Sequence, residues 1–199
     1  MDTHSEFNDA THLAKLAMRD QLLTARGRQP LAEIAERAHR IASAVMALAE
    51  VRGAATVAAY VSVGREPGTG PLLTALHEAG KRVILPVLLP DNDLDWAVYT
   101  GDADLASASR GLLEPTSPPL GPEAIATADL VLVPALAVTR TGMRLGRGGG
   151  SYDRALARVT GTTMAILNQE EVVDSVPVEA HDLRVQLIAT PEGVLDARR

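Results

Sequence analysis

The stretch RTGMRLGRGGGSYDRALAR, residues 140–158, decides how the rest of the chain is read. Four of the five residues 146–150 are glycine, interrupted only by Arg147, and they follow the apolar run LVLVPALAV at 130–138. A buried strand, a glycine loop and a helix opened by Ser151, Tyr152 and Asp153 are expected in that order. Glycine tolerates positive φ and lets main-chain N–H groups approach a ligand without a Cβ in the way. A run of such groups leading into a helix N-terminus makes a cradle for an anion. The same stretch holds five arginines and one aspartate in a chain of formal charge −6, so positive charge is concentrated here. Arg144 and Arg147 bracket the glycines where a phosphate accepts forked donors.

Two familiar phosphate motifs do not fit. A P-loop places Lys and then Ser or Thr after its last glycine, whereas Gly150 is followed directly by Ser151. A dinucleotide fingerprint needs G-x-G-x-x-G immediately after its strand. Here the glycines come several residues late and lack that spacing.

With 199 residues and 46% hydrophobic content, the chain suits one α/β domain spanning 1–199. Its expected parts are N-terminal helices at about 12–52 and an α/β body at about 54–195. Cysteine is absent, which excludes disulfides and thiolate metal sites. Residues 1–9 are polar and acidic, unlike a signal peptide, and no apolar run reaches membrane-spanning length. A cytoplasmic monomer that avoids membranes and nucleic acid is the expectation, given the net negative charge.

Leu13, Leu16, Ala17 and Leu23 predict a helix over 12–28 with one buried stripe, and Lys15 and Arg19, four apart, project from one side of it. Pro30 opens a second helix over 31–51. Buried strands are expected at 55–63 and 81–89 around a helix at 71–79, a strand-helix-strand unit that implies a right-handed crossover and a parallel sheet. Asp91, Asp93 and Asp95 read as a polar turn, because a calcium loop would add glycine at its sixth position and glutamate at its twelfth. Residues 94–99 alternate as a strand with Trp96 in the core, and 111–122 form an ordered surface excursion. Further strands are expected at 129–138, 162–167 and 183–190, and a helix at 151–159.

The series Val133-Pro134, then Arg144-Leu145-Gly146-Arg147-Gly148-Gly149-Gly150-Ser151-Tyr152-Asp153, resembles the signature of the 5-formyltetrahydrofolate cyclo-ligase family. Lys15-Leu16-Ala17-Met18-Arg19, Glu66 after the first strand, Gly111-Leu112-Leu113-Glu114-Pro115, and Pro177 to Asp182 are similar to further motifs of that family. The resemblance implies a Rossmann-like three-layer fold with a mainly parallel sheet. It also implies the ATP- and magnesium-dependent cyclisation of 5-formyltetrahydrofolate to 5,10-methenyltetrahydrofolate, with ADP and phosphate released.

Carried onto this chain, the resemblance assigns the nucleotide to Lys15, Arg19, Arg144, Leu145, Gly146, Arg147, Gly148, Gly149, Gly150, Ser151 and Tyr152. The folate falls to Glu66, Arg147, Gly148, Gly149, Gly150 and Ser151, and magnesium to Asp153 and Asp182. Arg147 and Arg144 are the expected catalytic residues. His181 reads as a structural or solvent-facing neighbour. Ser151 stands where the family usually has tyrosine, residues 134–139 lack a usual Phe and Asp, and Gln186 replaces an acid. Two alternatives stay open: a related ATP-dependent enzyme acting on another folate-like or amide substrate, and a non-catalytic nucleotide-binding module.

Overall fold

The structure is a computed structural model that describes residues 3–179 and 182–198, with the side chains of the first helix described from residue 10 onward. His181 lies outside the described residues. The chain begins with helices α1 (Thr3–Gly27), α2 (Leu31–Met46) and the short α3 (Ala49–Gly53). Strand β1 (Thr56–Ala58), helix α4 (Gly70–Glu78), β2 (Arg82–Leu88) and β3 (Leu94–Val98) follow. A small ribbon, β4 (Leu105–Ser107) and β5 (Leu113–Pro115), precedes β6 (Leu130–Pro134), β7 (Ala137–Thr139) and β8 (Arg144–Leu145). Helix α5 (Ser151–Leu156), β9 (Thr162–Ile166), β10 (Val172–Val173), β11 (Leu187–Thr190) and β12 (Gly193–Asp196) complete the order.

Seven strands form one sheet in the order β12-β11-β9-β6-β1-β2-β3. The five inner strands run parallel, and β3 and β12 close the two edges antiparallel. Alternation assigns side chains to faces, since successive residues of a strand point to opposite sides. Leu130 and Leu132 join Val57, Val83 and Met164 on the face covered by α2 and α4, with Ile41, Val45 and Leu72 among the covering side chains. Val131 and Val133 join Ala58, Ile84 and Ala165 on the other face, beneath Ala155 and Leu156 of α5 and Ile125 of a 3-10 turn. Trp96 is fully buried in this second layer, as its place in an alternating strand implies.

Several expectations need correction. The run 130–138 is not one strand: it leaves the main sheet at Pro134, and β7 pairs instead with β8 and β10. Ladder pairing at 55–63 is confined to Thr56–Ala58, beyond which the chain serves the cleft described below. Strand pairing near the C-terminus covers Leu187–Thr190 rather than 183–190, and β12 was not foreseen.

The buried stripe of α1 is also different from the expected one. Leu13, Leu16 and Leu23 are exposed, Leu13 at 65%, whereas Lys15 and Arg26 are buried. Lys15, Arg19 and Arg26 lie four and seven residues apart, so they share a helix face. Each finds an acceptor on the body of the protein: Lys15 on Glu179 and Asp182, Arg19 on the Gly146 carbonyl, and Arg26 on Glu171 and the Ala135 carbonyl. The docking face mixes these cations with Met18 and Leu22, which pack against the cluster of Ala137, Leu145 and Val176, so it is not the stripe that Leu13, Leu16 and Leu23 mark.

Arg26 and Glu171 form a bidentate pair at 2.5 and 2.9 Å with both side chains almost wholly buried. Burial would depress the guanidinium pKa, but the hydrogen bond and charge of Glu171 outweigh it and hold the pKa above its ordinary value. Removing one partner of such a pair strands a charge in the interior, which typically costs about 3–5 kcal/mol. Arg26→Met is therefore expected to lower urea stability by about 3 kcal/mol. Arg37→Ala, which removes a surface pairing with Glu33 and Glu170, is expected to lower it by less than about 1 kcal/mol. Equal midpoint shifts for the two variants would contradict the buried-pair account.

Candidate active site

β1 leads to β2 on one side of the sheet and β6 leads to β9 on the other, so the neighbouring strands β1 and β6 mark the point where the strand order reverses. Ligands of open α/β sheets bind outside the carboxyl ends of strands at such a point. A cleft of about 280 Å³ lies there. Tyr60, Val61, Val63 and Glu66 line it after β1, and Pro134 and Ala135 after β6. Arg144, Gly146 and residues 147–153 form a further wall. The glycine loop and Glu66, separated by eighty residues of sequence, thus face one space.

The loop's glycines have specific reasons. Gly148 and Gly150 adopt φ of +94° and +73°, the left-handed region that L side chains rarely occupy. At Gly146 a Cβ would lie 2.5 Å from Nη1 of Arg144, so a guanidinium occupies the space that a side chain would need. Among the described residues, the N–H groups of Arg147, Gly148, Gly149 and Gly150 donate to no acceptor in the protein. Helix α5 is only six residues long, ending at Leu156 rather than at 159. Free main-chain donors, more than a helix dipole, are therefore what this loop presents to the cleft.

The arginines divide. Arg144 is buried, donating to the Pro134 carbonyl at 3.2 Å and to Asp153. Arg147 is 53% exposed at its side chain, with Nε 3.3 Å from Glu66 Oε1. Arg154 reaches the Asp91 carbonyl at 3.2 Å, and Arg158 makes two bonds to Asp93 at 2.7 and 3.0 Å, holding that carboxyl below its usual range. Those last two arginines fasten α5 to the β2–β3 turn, so the cationic stretch supplies two cleft residues rather than five.

Glu66 is 8% exposed; its Oε2 accepts the Val63 N–H at 2.9 Å and its Oε1 faces Arg147. Arg19 donates to the Gly146 carbonyl at 2.9 Å and packs against Gly148. Lys15 does not line the cleft; it sits 2.7 Å from both Glu179 and Asp182. Asp182 also accepts the Glu179 N–H at 2.7 Å and lies outside the cleft lining. Asp153 lines the cleft with its side chain 36% exposed. As a hard oxygen ligand on an open wall it fits a magnesium ion carried by phosphates, which takes few protein ligands. Asp182 is ion-paired to Lys15, as Asp153 is to Arg144, but unlike Asp153 it does not line the cleft. Among the described residues, no group of three or more His, Cys, Asp or Glu could hold a metal.

Three polar cleft residues were not singled out from the sequence. Tyr60 stacks edge-on against Tyr152 at 6.5 Å, Glu114 accepts the Leu88 N–H at 3.0 Å, and Arg110 bonds Asn92 at 2.9 Å. The motif around Glu114 was visible, but nothing in its spacing says that the β4–β5 ribbon folds back over β2. Gln186, where the family usually has an acid, accepts the Thr163 N–H at 2.8 Å and so joins the strand regions of β9 and β11.

A sequence model of the 5-formyltetrahydrofolate cyclo-ligase family matches residues 11–191. A 5-formyltetrahydrofolate cyclo-ligase of Mycolicibacterium smegmatis is 45% identical over 151 residues, covering 72% of this chain and 77% of that protein. Its Escherichia coli counterpart is 31% identical over 164 residues, covering 80% and 90%. The solution structure of Aquifex aeolicus 5,10-methenyltetrahydrofolate synthetase superposes with a TM-score of 0.82 at 27% identity, covering 93% of each chain.

Burial together with the Glu66 charge pushes the Tyr60 and Tyr152 phenols up, and burial with a hydrogen bond to Asp102 pushes Tyr99 up to about 12. These are all three tyrosines of the chain. Since the folded pKa values exceed the unfolded value of about 10, their contribution to stability is complete below pH 10 and is lost as pH rises through the folded values. An ultraviolet titration of the native protein should show no phenolate below about pH 11, and stability should fall above pH 10. One tyrosine titrating in the folded protein near its ordinary value would contradict this burial.

Proposed function

The chain belongs to the 5-formyltetrahydrofolate cyclo-ligase family, and from that premise we propose that it joins N10 to the formyl carbon of 5-formyltetrahydrofolate at the expense of ATP. The supporting observation is the meeting, in one cleft at the sheet's reversal point, of free loop N–H donors, Arg147 and Glu66.

A formamide oxygen is a poor leaving group. In the proposed reaction it attacks the γ-phosphorus of ATP, the bond from phosphorus to the β–γ bridging oxygen breaks, and ADP leaves. N10 then adds to the activated formyl carbon, its proton is lost, and the C–O bond breaks to expel inorganic phosphate. No enzyme nucleophile is needed, so catalysis rests on placement and on neutralising charge as the phosphoryl group moves.

The glycine-loop wall, Glu66 and the α1 cations have parts in that scheme. The N–H groups of residues 147–150 receive phosphate oxygens, and Ser151 and Tyr152 border them. Arg147, exposed and loosely paired, swings from Glu66 to the transferred group. Arg144 keeps Leu145 and Gly146 in place from its buried position and adds positive charge behind the loop. Glu66, once released, accepts from the N–H donors of the pterin ring. Arg19, and Lys15 if it parts from Asp182, close on the nucleotide from α1. Magnesium bound to the nucleotide would offset phosphate charge, with Asp153 and, after opening of its lysine pair, Asp182 as protein oxygens. We assign the enzyme to the cytoplasm as a monomer on the same reading.

Mixing protein, Mg-ATP and 5-formyltetrahydrofolate should generate the absorbance of the methenyl product. ATP hydrolysis without that product would favour another acceptor, and nucleotide binding without turnover would favour a non-catalytic module. Arg147→Ala should lower kcat by about a hundredfold, the loss typical of one transition-state donor, while nucleotide affinity changes by less than about fivefold. Unchanged turnover in that variant would remove Arg147 from the mechanism.

A further inference from the structure

The proposed reaction leaves one wall of the cleft without a task. Pro86 and Leu88 of β2, Leu94 of β3, and Leu112 and Leu113 beside β5 make this wall apolar, and Arg110 stands among them. Leu113 is partly exposed to solvent, so an apolar ligand group resting on it would remove apolar surface from water.

Arg110 differs from the other arginines of the cleft. Arg144 and Arg147 are paired with Asp153 and Glu66. Among the described residues Arg110 has no carboxylate partner, and it donates instead to the neutral Asn92 side chain at 2.9 Å. Its backbone is also unusual, with φ of 58° and ψ of 21° in a left-handed conformation that non-glycine residues seldom adopt. Gly111 follows at φ 73°. Asn92, at φ 65°, turns the β2–β3 hairpin, and the exposed Arg110 donates to its side chain at 2.9 Å beside the cleft.

We infer that Arg110 is a substrate-specificity residue that binds a carboxylate on the tail of the substrate. The inference rests on the folate reading of the cleft and extends it. With the formylated ring held between the glycine loop and Glu66, the flat aminobenzoyl ring lies on the apolar wall. The glutamyl carboxylates then meet a guanidinium whose donors are not committed to a protein anion, the forked geometry that carboxylates accept. Arg110 takes no part in bond making, so its effect falls on KM and spares kcat.

The test compares two substrates, 5-formyltetrahydrofolate and the 5-formyltetrahydropteroate analogue that lacks glutamate, in the wild type, Arg110→Gly and Arg110→Lys. Glycine is the chosen truncation because it accepts the left-handed backbone without strain; lysine restores charge without the fork. Arg110→Gly should raise KM for the glutamate-bearing substrate about tenfold, the typical loss of one charge-assisted contact. KM for the analogue and for ATP should move less than about twofold, and Arg110→Lys should recover part of the loss. An equal rise for both substrates, or no rise for either, overturns the assignment of Arg110 while leaving the cyclo-ligase reading intact. Absence of product from the wild type with either substrate overturns that reading and the inference with it.

Discussion

Two carbonyl groups at the end of β6 govern the architecture around the cleft. Where the apolar run leaves the main sheet at Pro134, its backbone oxygens lose the regular ladder while still buried, and a buried acceptor without a donor is costly. Arg144 supplies one donor, to Pro134, and Arg26 supplies another, to Ala135. The first residue comes from β8, which leads into the glycine loop, and the second from α1. A break in one strand thereby fixes both the entry to that loop and the helix that leans over it. Leu136 adds a third tie by donating to the Leu145 carbonyl at 2.8 Å.

Much of this was legible in the sequence, for local reasons. The alternating or continuous apolar runs gave the parallel strands, and the glycine loop was readable because positive φ and close approach leave a compositional trace. The break at 134–136 was not readable, since LVLVPALAV is apolar throughout and Pro134 still pairs with Ile166 in the ladder. Only the tertiary partners of Pro134 and Ala135 reveal where the chain turns away. The cationic docking of α1 was hidden for a similar reason: Glu171, Asp182 and the Gly146 carbonyl lie more than a hundred residues away in sequence. Lys15 and Arg19 were recognised as sharing a face, but not that this face is the buried one.

The same distance in sequence explains the opposite wall. Leu112 and Glu114 belong to a stretch, 111–122, that reads as a surface excursion, and Arg110 immediately precedes it. It becomes a cleft wall because Glu114 accepts the Leu88 N–H and Arg110 holds Asn92, clamping the ribbon to the β2–β3 hairpin. That hairpin is in turn fastened to α5 through Arg154 and Arg158. The helix behind the glycine loop and the wall facing it are therefore attached to one turn, residues 91–93, which makes the cleft's width a property of the scaffold rather than of the loop alone.

Cations beside the glycine loop and on α1 are paired within the protein. Lys15 is paired with Glu179 and Asp182, Arg144 with Asp153, and Arg147 with Glu66. On the proposed function, a polyphosphate would exchange one set of ion pairs for another, and its binding energy would be the difference between them. Affinity would then be smaller than a count of cations suggests, but each exchange would free a carboxylate at a defined place: Glu66 from Arg147, and Asp182 from Lys15. The glycine N–H groups, which break no bond within the protein to bind, would set the first contact, and the ion pairs around them would make later contacts depend on it.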